Sequence, residues 1–350
     1  MKIAVLGAGY AGLSLSWHLL HESQSSVIVD IFDPLPIGSG ASGYSSGLLH
    51  AYAGQHAKRS WEASLGMHAT HDLISAAATA IASPLVLSHG ILRPAGTEEQ
   101  QKDFLKAAES NPDLEWWSQA KCLEKIPELT FPSKEGGGIF IKTGLTLHTK
   151  LYLEGLWQAI AKAGGRHIKT AVTSLEQIKK YDRIVFCLGA ETINAGKLLE
   201  INLPVKAIKG QLLKIKWPDG LPPLPFSLVG KGYIVMSHDS HFCYAGATFE
   251  KEFQTKEPDL KIARELIMSK ILPFFPPLEN AEIVDCYAGL RATTASHLPL
   301  VDTLGNNRWV FTALGSKGLL WHSFLGQRLA RAILEDNPDA LPPPVRFSNP

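Results

Sequence analysis

The sequence contains few cysteines, and they lie far apart. Only Cys122, Cys187, Cys243 and Cys286 occur among 350 residues, and none of them belongs to a C-x-x-C pair. This spacing indicates neither a zinc site nor a disulfide framework. We therefore expect four free thiols in a protein from a reducing compartment.

The sequence also lacks a strong net charge and long apolar runs. Its formal charge is +1, whereas a nucleic-acid-binding protein usually has a basic stripe. No run reaches the ~20 apolar residues that span a bilayer, and Lys2 alone precedes the apolar start, so a signal peptide is not favoured. We expect a cytoplasmic protein without a membrane span. A length of 350 residues favours two domains over one core.

The first apolar run is followed by a glycine-rich motif. Residues 2–6 (KIAVL) are typical of a buried parallel strand, GAGYAG occupies 7–12, and a helical pattern follows. Residues 27–33 (VIVDIFD) predict a second strand, which completes the context that a G-x-G-x-x-G dinucleotide motif requires. Such glycines let backbone N–H groups approach a pyrophosphate at the helix N-terminus.

An acidic residue at the end of the second strand extends this pattern. Asp33 would accept hydrogen bonds from an adenosine ribose, and Asp30 is the other candidate. A free carboxylate at this position disfavours a 2′-phosphate, so NADP is not expected. A tight turn without any ligand is the alternative interpretation.

Later segments predict a small-residue loop, a long helix and an antiparallel sheet. Residues 38–47 (GSGASGYSSG) are small and polar, and they are suited to lie against a planar ligand, with a mobile linker as the alternative. Residues 57–82 predict a long helix. Alternating apolar runs over 205–290, with one helix near 259–272, predict an antiparallel sheet.

Two pairs of histidines have helical spacing. His18 and His21, and likewise His68 and His71, stand three residues apart. Metal ligation is open to such pairs, but without further ligands the pattern favours ordinary helix faces. No metal site is therefore expected.

Six stretches, taken in order, resemble the FAD-dependent D-amino-acid oxidase superfamily. That superfamily includes glycine oxidases, sarcosine oxidases, D-amino-acid dehydrogenases and the oxidase domain of a bifunctional tRNA wobble-uridine modification enzyme. The resemblance extends from Lys2 to about Glu335. Its stretches are GAGYAG, GSGASGYSSGLLH, IVFCLGAET, KGQLL, YAGATFE, and GLRATTASHLPLVD followed by GSKGLL.

The resemblance implies an α/β fold with two interleaved domains. One would be a Rossmann-like, glutathione-reductase-like FAD-binding domain, and the other an α+β substrate domain built on an antiparallel sheet. The expected segments are 1–85, 145–205 and 285–340 for FAD, 86–144 and 206–284 for substrate, and a loose tail over 341–350.

The resemblance also implies a noncovalent FAD. Some relatives attach flavin through a cysteine near the arginine stretch, but Cys286 does not clearly match that position. The implied FAD contacts are Gly7, Gly9 and Gly12 at the pyrophosphate, Asp33 at the ribose, Ser42, Ser46, Gly47, Leu48 and Leu49 along the pyrophosphate and ring, Val172 at adenine, Gly189 against the FAD, and Gly315, Ser316, Lys317 and Gly318 at the flavin N1–C2=O edge. A helix N-terminus at that edge would stabilise the negative charge of a reduced flavin.

Three further residues are candidates for substrate binding. Arg291, in a nearly uncharged stretch, matches an arginine that pairs with the substrate carboxylate in relatives; an internal ion pair with Asp302 or Glu250 is the alternative. Tyr233 matches a position that helps to hold substrate, or it is a core aromatic residue. His50 could reach the reacting face of the flavin.

The implied reaction is oxidation of a carbon–nitrogen bond by hydride transfer to flavin N5, followed by hydrolysis of the imine. Small amino acids and secondary amines of the glycine, sarcosine and D-amino-acid type are the expected substrates. The alternative substrate is the carboxymethylaminomethyl group of a tRNA wobble uridine, with Lys58 and Arg59 in a local basic patch. An NAD-dependent dehydrogenase and a non-catalytic flavoprotein are the lower alternatives.

Overall fold

A computed structural model describes residues 1–23, 27–132, 135–196 and 202–347. One of its two sheets is mainly parallel and contains the chain's first strand. In spatial order its strands are β14 (Leu300–Gly305), β15 (Arg308–Thr312), β8 (Arg183–Phe186), β1 (Lys2–Leu6), β2 (Ile28–Phe32) and β7 (Arg166–Ile168). Only β14 runs antiparallel to its neighbour. The near-continuous apolar sequence of β1 suits a strand that is covered on both faces.

The second sheet is mainly antiparallel. Its strands, in spatial order, are β13 (Ile283–Thr293), β9 (Lys206–Lys216), β12 (Phe242–Gly246), β11 (Tyr233–Met236), β10 (Ser227–Val229), β4 (Val86–Pro94), β6 (Gly137–Leu147) and β3 (Leu48–Leu49), and β5 (Leu114–Ser118) also pairs with β6. The contact between β10 and β4 is parallel, and the other pairs are antiparallel.

Helices pack on both sheets. They are α1 (Tyr10–Glu22), α2 (Ala63–Ile81), α3 (Glu98–Ser110), α4 (Gln119–Lys125), α5 (Thr149–Lys162), α6 (Leu260–Ile271) and α7 (Gly318–Leu334). Helices α1, α2, α5 and α7 pack against one another. On the second sheet, Leu213 and Ile215 of β9 share a core with Ile267 of α6. Because side chains alternate along a strand, Leu212 and Lys214 lie on the opposite face.

The helix predicted over 57–82 begins later than its composition indicates. It spans Ala63–Ile81, and both Ala57 and Glu62 have positive φ, of 48° and 46°. Left-handed backbone at these positions is incompatible with a continuous right-handed helix. The helix predicted near 259–272 forms over Leu260–Ile271, within a residue of those bounds.

Two of the predicted domain limits fall inside strands. Residue 145 lies within β6 and residue 285 within β13, and both strands belong to the second sheet. The division into domains therefore stays a prediction. The chain leaves the second sheet only after each of those two positions. Strand β3 also joins the second sheet, although its residues were expected in the FAD-binding domain.

The tail is packed rather than loose over residues 341–347. Leu341 and Val345 are each 1% exposed. The carboxylate of Asp302 accepts a hydrogen bond from the Phe347 N–H at 2.8 Å and pairs with Arg346 at 3.4 Å. Apolar anchors and a buried carboxylate thus override the proline-rich composition; residues 348–350 lie outside the described part.

Within the described ranges, no helix combines the length and the apolar character needed to cross a membrane.

Candidate functional site

A cavity of about 1020 Å³ is lined by residues from both sheets. Its volume lies at the upper end of the ~300–1,000 Å³ range of ligand sites in proteins, which suits a cofactor together with a small substrate. One end meets the turn after β1, and another meets β9, β11 and β13.

Most of the predicted site residues line this one cavity. They are Gly7, Gly9, Asp33, Ser42, Ser46, Gly47, Leu48, His50, Val172, Gly189, Tyr233, Arg291, Gly315, Ser316 and Gly318. The chain thus brings together residues that are up to about 300 positions apart in the sequence. Their assigned roles stay predictions.

Three predicted residues lie away from the lining. Leu49 is fully buried in the core, and the Lys317 ammonium lies 4.9 Å from the centroid of the Trp321 ring. Gly12 faces the preceding turn, because a Cβ at this position would come within 1.9 Å of the Gly7 carbonyl oxygen. Gly12 therefore permits the close packing of helix and turn.

The turn after β1 requires glycine at its first position. Gly7 has φ +109°, and a Cβ there would lie 2.3 Å from the backbone oxygen of Cys187 in the adjacent segment. The next residue, Ala8, donates its N–H to the Asp33 carboxylate at 2.9 Å, and the N–H of Leu35 donates to the same carboxylate at 3.0 Å. The acidic residue thus fixes the glycine turn while it also lines the cavity.

The structure separates the two acidic candidates on β2. Asp30 is buried, accepts two hydrogen bonds from Arg166 at 2.6 and 2.7 Å, and accepts a third from the Tyr181 hydroxyl. Burial raises the pKa of Asp30, but these hydrogen bonds outweigh it and bring the pKa below its usual value. Asp30 is therefore a structural carboxylate, and Asp33 is the one that faces the cavity.

The small-residue segment over 38–47 is held against the start of α1. The Ser42 hydroxyl accepts a hydrogen bond from the Tyr10 N–H at 3.1 Å, and the Tyr10 hydroxyl lies 2.8 Å from the Ser45 hydroxyl. The segment is thus an ordered wall of the cavity. This agrees with the prediction that it lies against a ligand and not with the alternative of a mobile linker.

At the other end, Arg291 extends across β9. Its guanidinium lies over Gly210, where a Cβ would come within 2.3 Å of Nη2. Within the described residues its hydrogen bond is to the Thr248 carbonyl, at 3.4 Å from Nη1. Burial lowers the pKa of Arg291, although an arginine remains protonated in proteins.

The predicted alternative of an internal ion pair does not hold for Arg291. Glu250 accepts hydrogen bonds from the Gln211 amide and the Thr248 hydroxyl, and Asp302 pairs with Arg346. Across residues 1–23, 27–132, 135–196 and 202–347, no carboxylate forms an ion pair with Arg291. The guanidinium is therefore a partly buried cation that faces the cavity without an anionic partner from those residues.

Tyr233 and His50 line the cavity with Arg291. Burial raises the pKa of the Tyr233 phenol, with opposing contributions from Arg291 and a hydrogen bond with Ser46, so the phenol is protonated at neutral pH. Burial, with smaller contributions from Arg93 and Lys317, lowers the pKa of His50 to about 3. Its imidazole is therefore neutral, and its buried Nδ1 has no hydrogen-bond partner among the described residues.

Several lining residues were not predicted. Gly210 and Gly289 form a flat floor beside Arg291, and Tyr44 lies at the edge of the 38–47 segment. Glycines inside strands often mark a close approach of a ligand or side chain, and this signal was present in KGQLL and YAGL.

The cysteines and histidines take no part in this lining except Cys187 and His50. Burial is the main cause that raises the pKa of Cys286 to about 11, so its thiol is a poor nucleophile at neutral pH. His18 lies 3.4 Å from Glu22, and His68 lies 3.9 Å from Asp72. In the described part of the chain, no three His, Cys, Asp or Glu side chains are grouped for a metal ion.

The parallel sheet, the glycine turn and the long cavity together define a dinucleotide-binding protein. The chain belongs to the family of FAD dependent oxidoreductases (DAO), whose model matches residues 2–332. This membership confirms the predicted family, α/β fold and FAD cofactor, and it excludes the NAD-dependent alternative.

Three similar proteins are distant in sequence, and two of them match over nearly their whole length. The chain is 23% identical to the uncharacterized oxidoreductase YurR of Bacillus subtilis over 94% of both chains. It is also 23% identical to a glycine oxidase of Bacillus licheniformis, over 94% of this chain and 92% of that protein. A tRNA 5-methylaminomethyl-2-thiouridine biosynthesis bifunctional protein, MnmC of Idiomarina loihiensis, is 25% identical over 69% of this chain, which spans only 41% of that relative.

Solved structures agree on the fold. The glycine oxidase of Geobacillus kaustophilus superimposes with a TM-score of 0.81 at 20% identity, over 96% of this chain and 95% of that one. The iminodiacetate oxidase of Chelativorans sp. BNC1 gives 0.79 at 17% identity, over 97% of each chain.

The residues present fit FAD. The glycines of the turn leave the start of α1 free of bulky side chains, and Asp33 faces the cavity beside this turn. Gly9 is the N-cap residue of α1, and no side-chain hydrogen bond is made at this cap. Such a helix N-terminus is suited to a pyrophosphate.

Proposed function

We propose that the chain oxidises the carbon–nitrogen bond of an amino acid whose carboxylate binds Arg291. The observation that supports this most directly is the partly buried Arg291 guanidinium, which faces the cavity without a carboxylate partner in the described ranges. An uncompensated buried charge is costly, so a ligand carboxylate would complete the site. The planar fork of a guanidinium is suited to bind that carboxylate through two parallel hydrogen bonds.

Tyr233 and His50 would act beside this anchor. The protonated Tyr233 phenol can donate a further hydrogen bond to the carboxylate, because Tyr233 and Arg291 line the same cavity. The neutral His50 imidazole is suited to contact the substrate amine, since a cation there would repel it. Two cationic side chains, Arg93 and Lys317, contribute to keeping His50 neutral.

The remaining lining residues would hold the cofactor. Gly7, Gly9 and the start of α1 would bind the pyrophosphate of FAD, Asp33 the ribose, and Val172 the adenine. The backbone from Gly315 to Gly318, at the start of α7, would face the flavin edge that gains negative charge. FAD, when bound, supplies the acceptor for the two electrons that leave the substrate. The imine product would then hydrolyse in water.

Glycine, sarcosine and small D-amino acids are the proposed substrates. Relatives over nearly the full chain include proteins named glycine oxidase, and Arg291 offers an anchor for one carboxylate, whereas the other lining cation, Lys256, is paired with Glu191. The similarity to MnmC supports a second candidate, a modified uridine of tRNA, and Lys58 and Arg59 are both exposed. Four free cysteines support the proposed cytoplasmic location.

Anaerobic mixing of the FAD-loaded protein with candidate substrates tests the proposal. Glycine, sarcosine, D-alanine, D-proline and undermodified tRNA are added separately, and bleaching of the flavin absorption band is recorded. We expect bleaching by at least one amino acid, at a rate that falls 100-fold or more in Arg291→Ala. Bleaching by tRNA alone would favour the second candidate, and bleaching that is unchanged in Arg291→Ala would contradict the role of Arg291.

A further inference from the structure

The strand register places an aromatic row directly outside the arginine anchor. Gly210 of β9 pairs with Gly289 of β13, and the Arg291 guanidinium lies over Gly210. Two residues along β9, Leu212 pairs with Tyr287 on one side and with Gly246 on the other. Directly paired residues share a face, so this row lies about 7 Å from the guanidinium on the same face of the sheet.

Tyr44 stacks on this row from the cavity wall. Its ring centroid lies 5.6 Å from that of Tyr287, with 20° between the ring planes. The Lys150 ammonium lies 5.0 Å from the centroid of the Tyr44 ring. Tyr44 lines the cavity that contains Arg291, and its stacking places Tyr287 directly behind this part of the wall. Both tyrosines are partly exposed.

The floor of this row is small and apolar. Leu212 is 7% exposed and faces away from the core that Leu213 shares with α6. Gly246 leaves the floor flat on one side, and Tyr233 packs over it, since a Cβ at residue 246 would meet the Tyr233 hydroxyl oxygen at 2.4 Å. A glycine molecule held by Arg291 is too short to use a surface about 7 Å beyond the guanidinium.

We propose that Tyr44, Tyr287 and Leu212 form a ring-binding subsite, which binds a planar ring carried by the substrate amino acid. This inference rests on the proposed function, because Arg291 must hold the carboxylate for the ring to reach the row. Planar rings gain from stacking on aromatic side chains in addition to apolar burial. A ring joined through one methylene, either to the amino nitrogen or to the α-carbon, has the required reach.

The test compares substrates that differ only by such a ring. Flavin bleaching and steady-state kcat/KM are measured for sarcosine, N-benzylglycine, D-alanine and D-phenylalanine with the FAD-loaded protein. We expect the ring to raise kcat/KM about tenfold or more in one of the two pairs. The substrate pair in which the ring raises kcat/KM shows whether the preferred substrate has its ring on the amino nitrogen or on the α-carbon.

Variants on the same sheet face locate the effect. Tyr287→Ala should lower the ratio of kcat/KM for the ring substrate to its small counterpart about tenfold, whereas Tyr287→Phe should retain it. Tyr244→Ala is the matched control, because Tyr244 pairs with Lys214 one row further from Arg291 on that face. The control should keep the ratio of the wild-type protein. If Tyr287→Ala does not fold, Tyr287→Leu removes the aromatic ring at similar volume.

The outcomes separate this inference from the proposed function. Oxidation of sarcosine or D-alanine without any preference for a ring would overturn the subsite and leave the proposed function intact. A ratio that falls equally in Tyr287→Ala and Tyr244→Ala would also overturn it. Absence of bleaching by all four amino acids would overturn the subsite, and the proposed function would be contradicted with it if glycine and D-proline also failed to bleach the flavin.

Discussion

The guanidinium of Arg291 lies over Gly210, so close that a Cβ at residue 210 would come within 2.3 Å of its Nη2 atom. The two residues belong to neighbouring strands, and Gly210 pairs with Gly289 rather than with Arg291 itself. Arg291 pairs with Ile208, so its side chain reaches two residues along β9 to lie over Gly210. Its position depends on the absence of a side chain at residue 210.

Gly210→Ala should displace the anchor without unfolding the protein. The contact involves the flexible end of Arg291, which can move away, so we expect a KM for amino acids about tenfold higher, or ~1.4 kcal/mol of binding, with kcat and FAD content nearly unchanged. Steady-state kinetics measure this. Gly96→Ala is the control, because a Cβ there meets its nearest atom at an ordinary 3.5 Å. An unchanged KM in Gly210→Ala would contradict the arginine anchor.

Asp33→Ala should weaken FAD binding. The variant removes the carboxylate that fixes the N–H groups of Ala8 and Leu35 and that faces the cavity. Hydrogen bonds to a charged group contribute about 1.5–3 kcal/mol, so the Kd for FAD should rise roughly 10- to 100-fold. Fluorescence titration of the apoprotein with FAD measures it. Asp72→Ala, at an exposed carboxylate on α2, should leave the Kd unchanged.

Asp30→Asn should destabilise the fold without a specific effect on FAD. The buried Asp30 carboxylate would no longer pair with Arg166, and the loss should be about 2–4 kcal/mol in the free energy of unfolding. Urea denaturation measures this, with Glu176→Gln in an exposed ion pair as the control, where the change should stay below about 1 kcal/mol.

The pH dependence of Asp30 follows from the direction of its pKa shift. Its pKa is lowered in the folded protein, so it stabilises the fold above the unfolded pKa of about 3.9. That contribution is lost as the pH falls through the folded pKa. If Asp30→Asn has the same free energy of unfolding as the wild type at neutral pH, the structural role is wrong.

His322 should make the protein less stable in mild acid. It is fully buried, its Nε2 lies 2.6 Å from the Tyr152 hydroxyl, and burial lowers its pKa to about 3. The unfolded chain binds a proton near pH 6.5 and the folded chain does not, so stability falls as the pH decreases from about 6.5 towards 3. We expect a loss of about 2 kcal/mol from this group between pH 7 and pH 5.

Denaturation of His322→Gln at both pH values checks this expectation. The variant has no titrating group at that position, so its loss of stability between pH 7 and pH 5 should be smaller than that of the wild type. His68→Gln, at an exposed position on α2, should behave as the wild type. Equal pH dependence of all three proteins would show that His322 is not the cause.

The sequence predicts the nucleotide-binding unit well and singles out Arg291 as a candidate, because both signals depend on local spacing. The order of β1, the glycine turn and Asp33 is readable from adjacent residues, and Arg291 stands out in an uncharged stretch. The contact between Arg291 and Gly210 joins strands about 80 residues apart, and no local pattern encodes it. Only the register of β9 and β13 reveals that contact.

Local sequence patterns also fail to predict two features of the fold, the start of the second helix and the packing of the tail. Composition alone extends the second helix back to residue 57, while the positive φ of Glu62 starts it at Ala63. The proline-rich tail has no periodic pattern, yet Asp302 and the core bind it through contacts distant in sequence. Tertiary contacts of this kind override local preferences.

Strand β3 gives the wall of the cavity two separate attachments. Ser42 is bound to the first turn of α1 on the parallel sheet, and six residues later Leu48 is hydrogen-bonded into the antiparallel one. One short stretch of backbone, residues 42–48, thus connects the two sheets. We therefore expect nucleotide binding to hold this stretch in place, and we expect the empty protein to be cut there first by a protease.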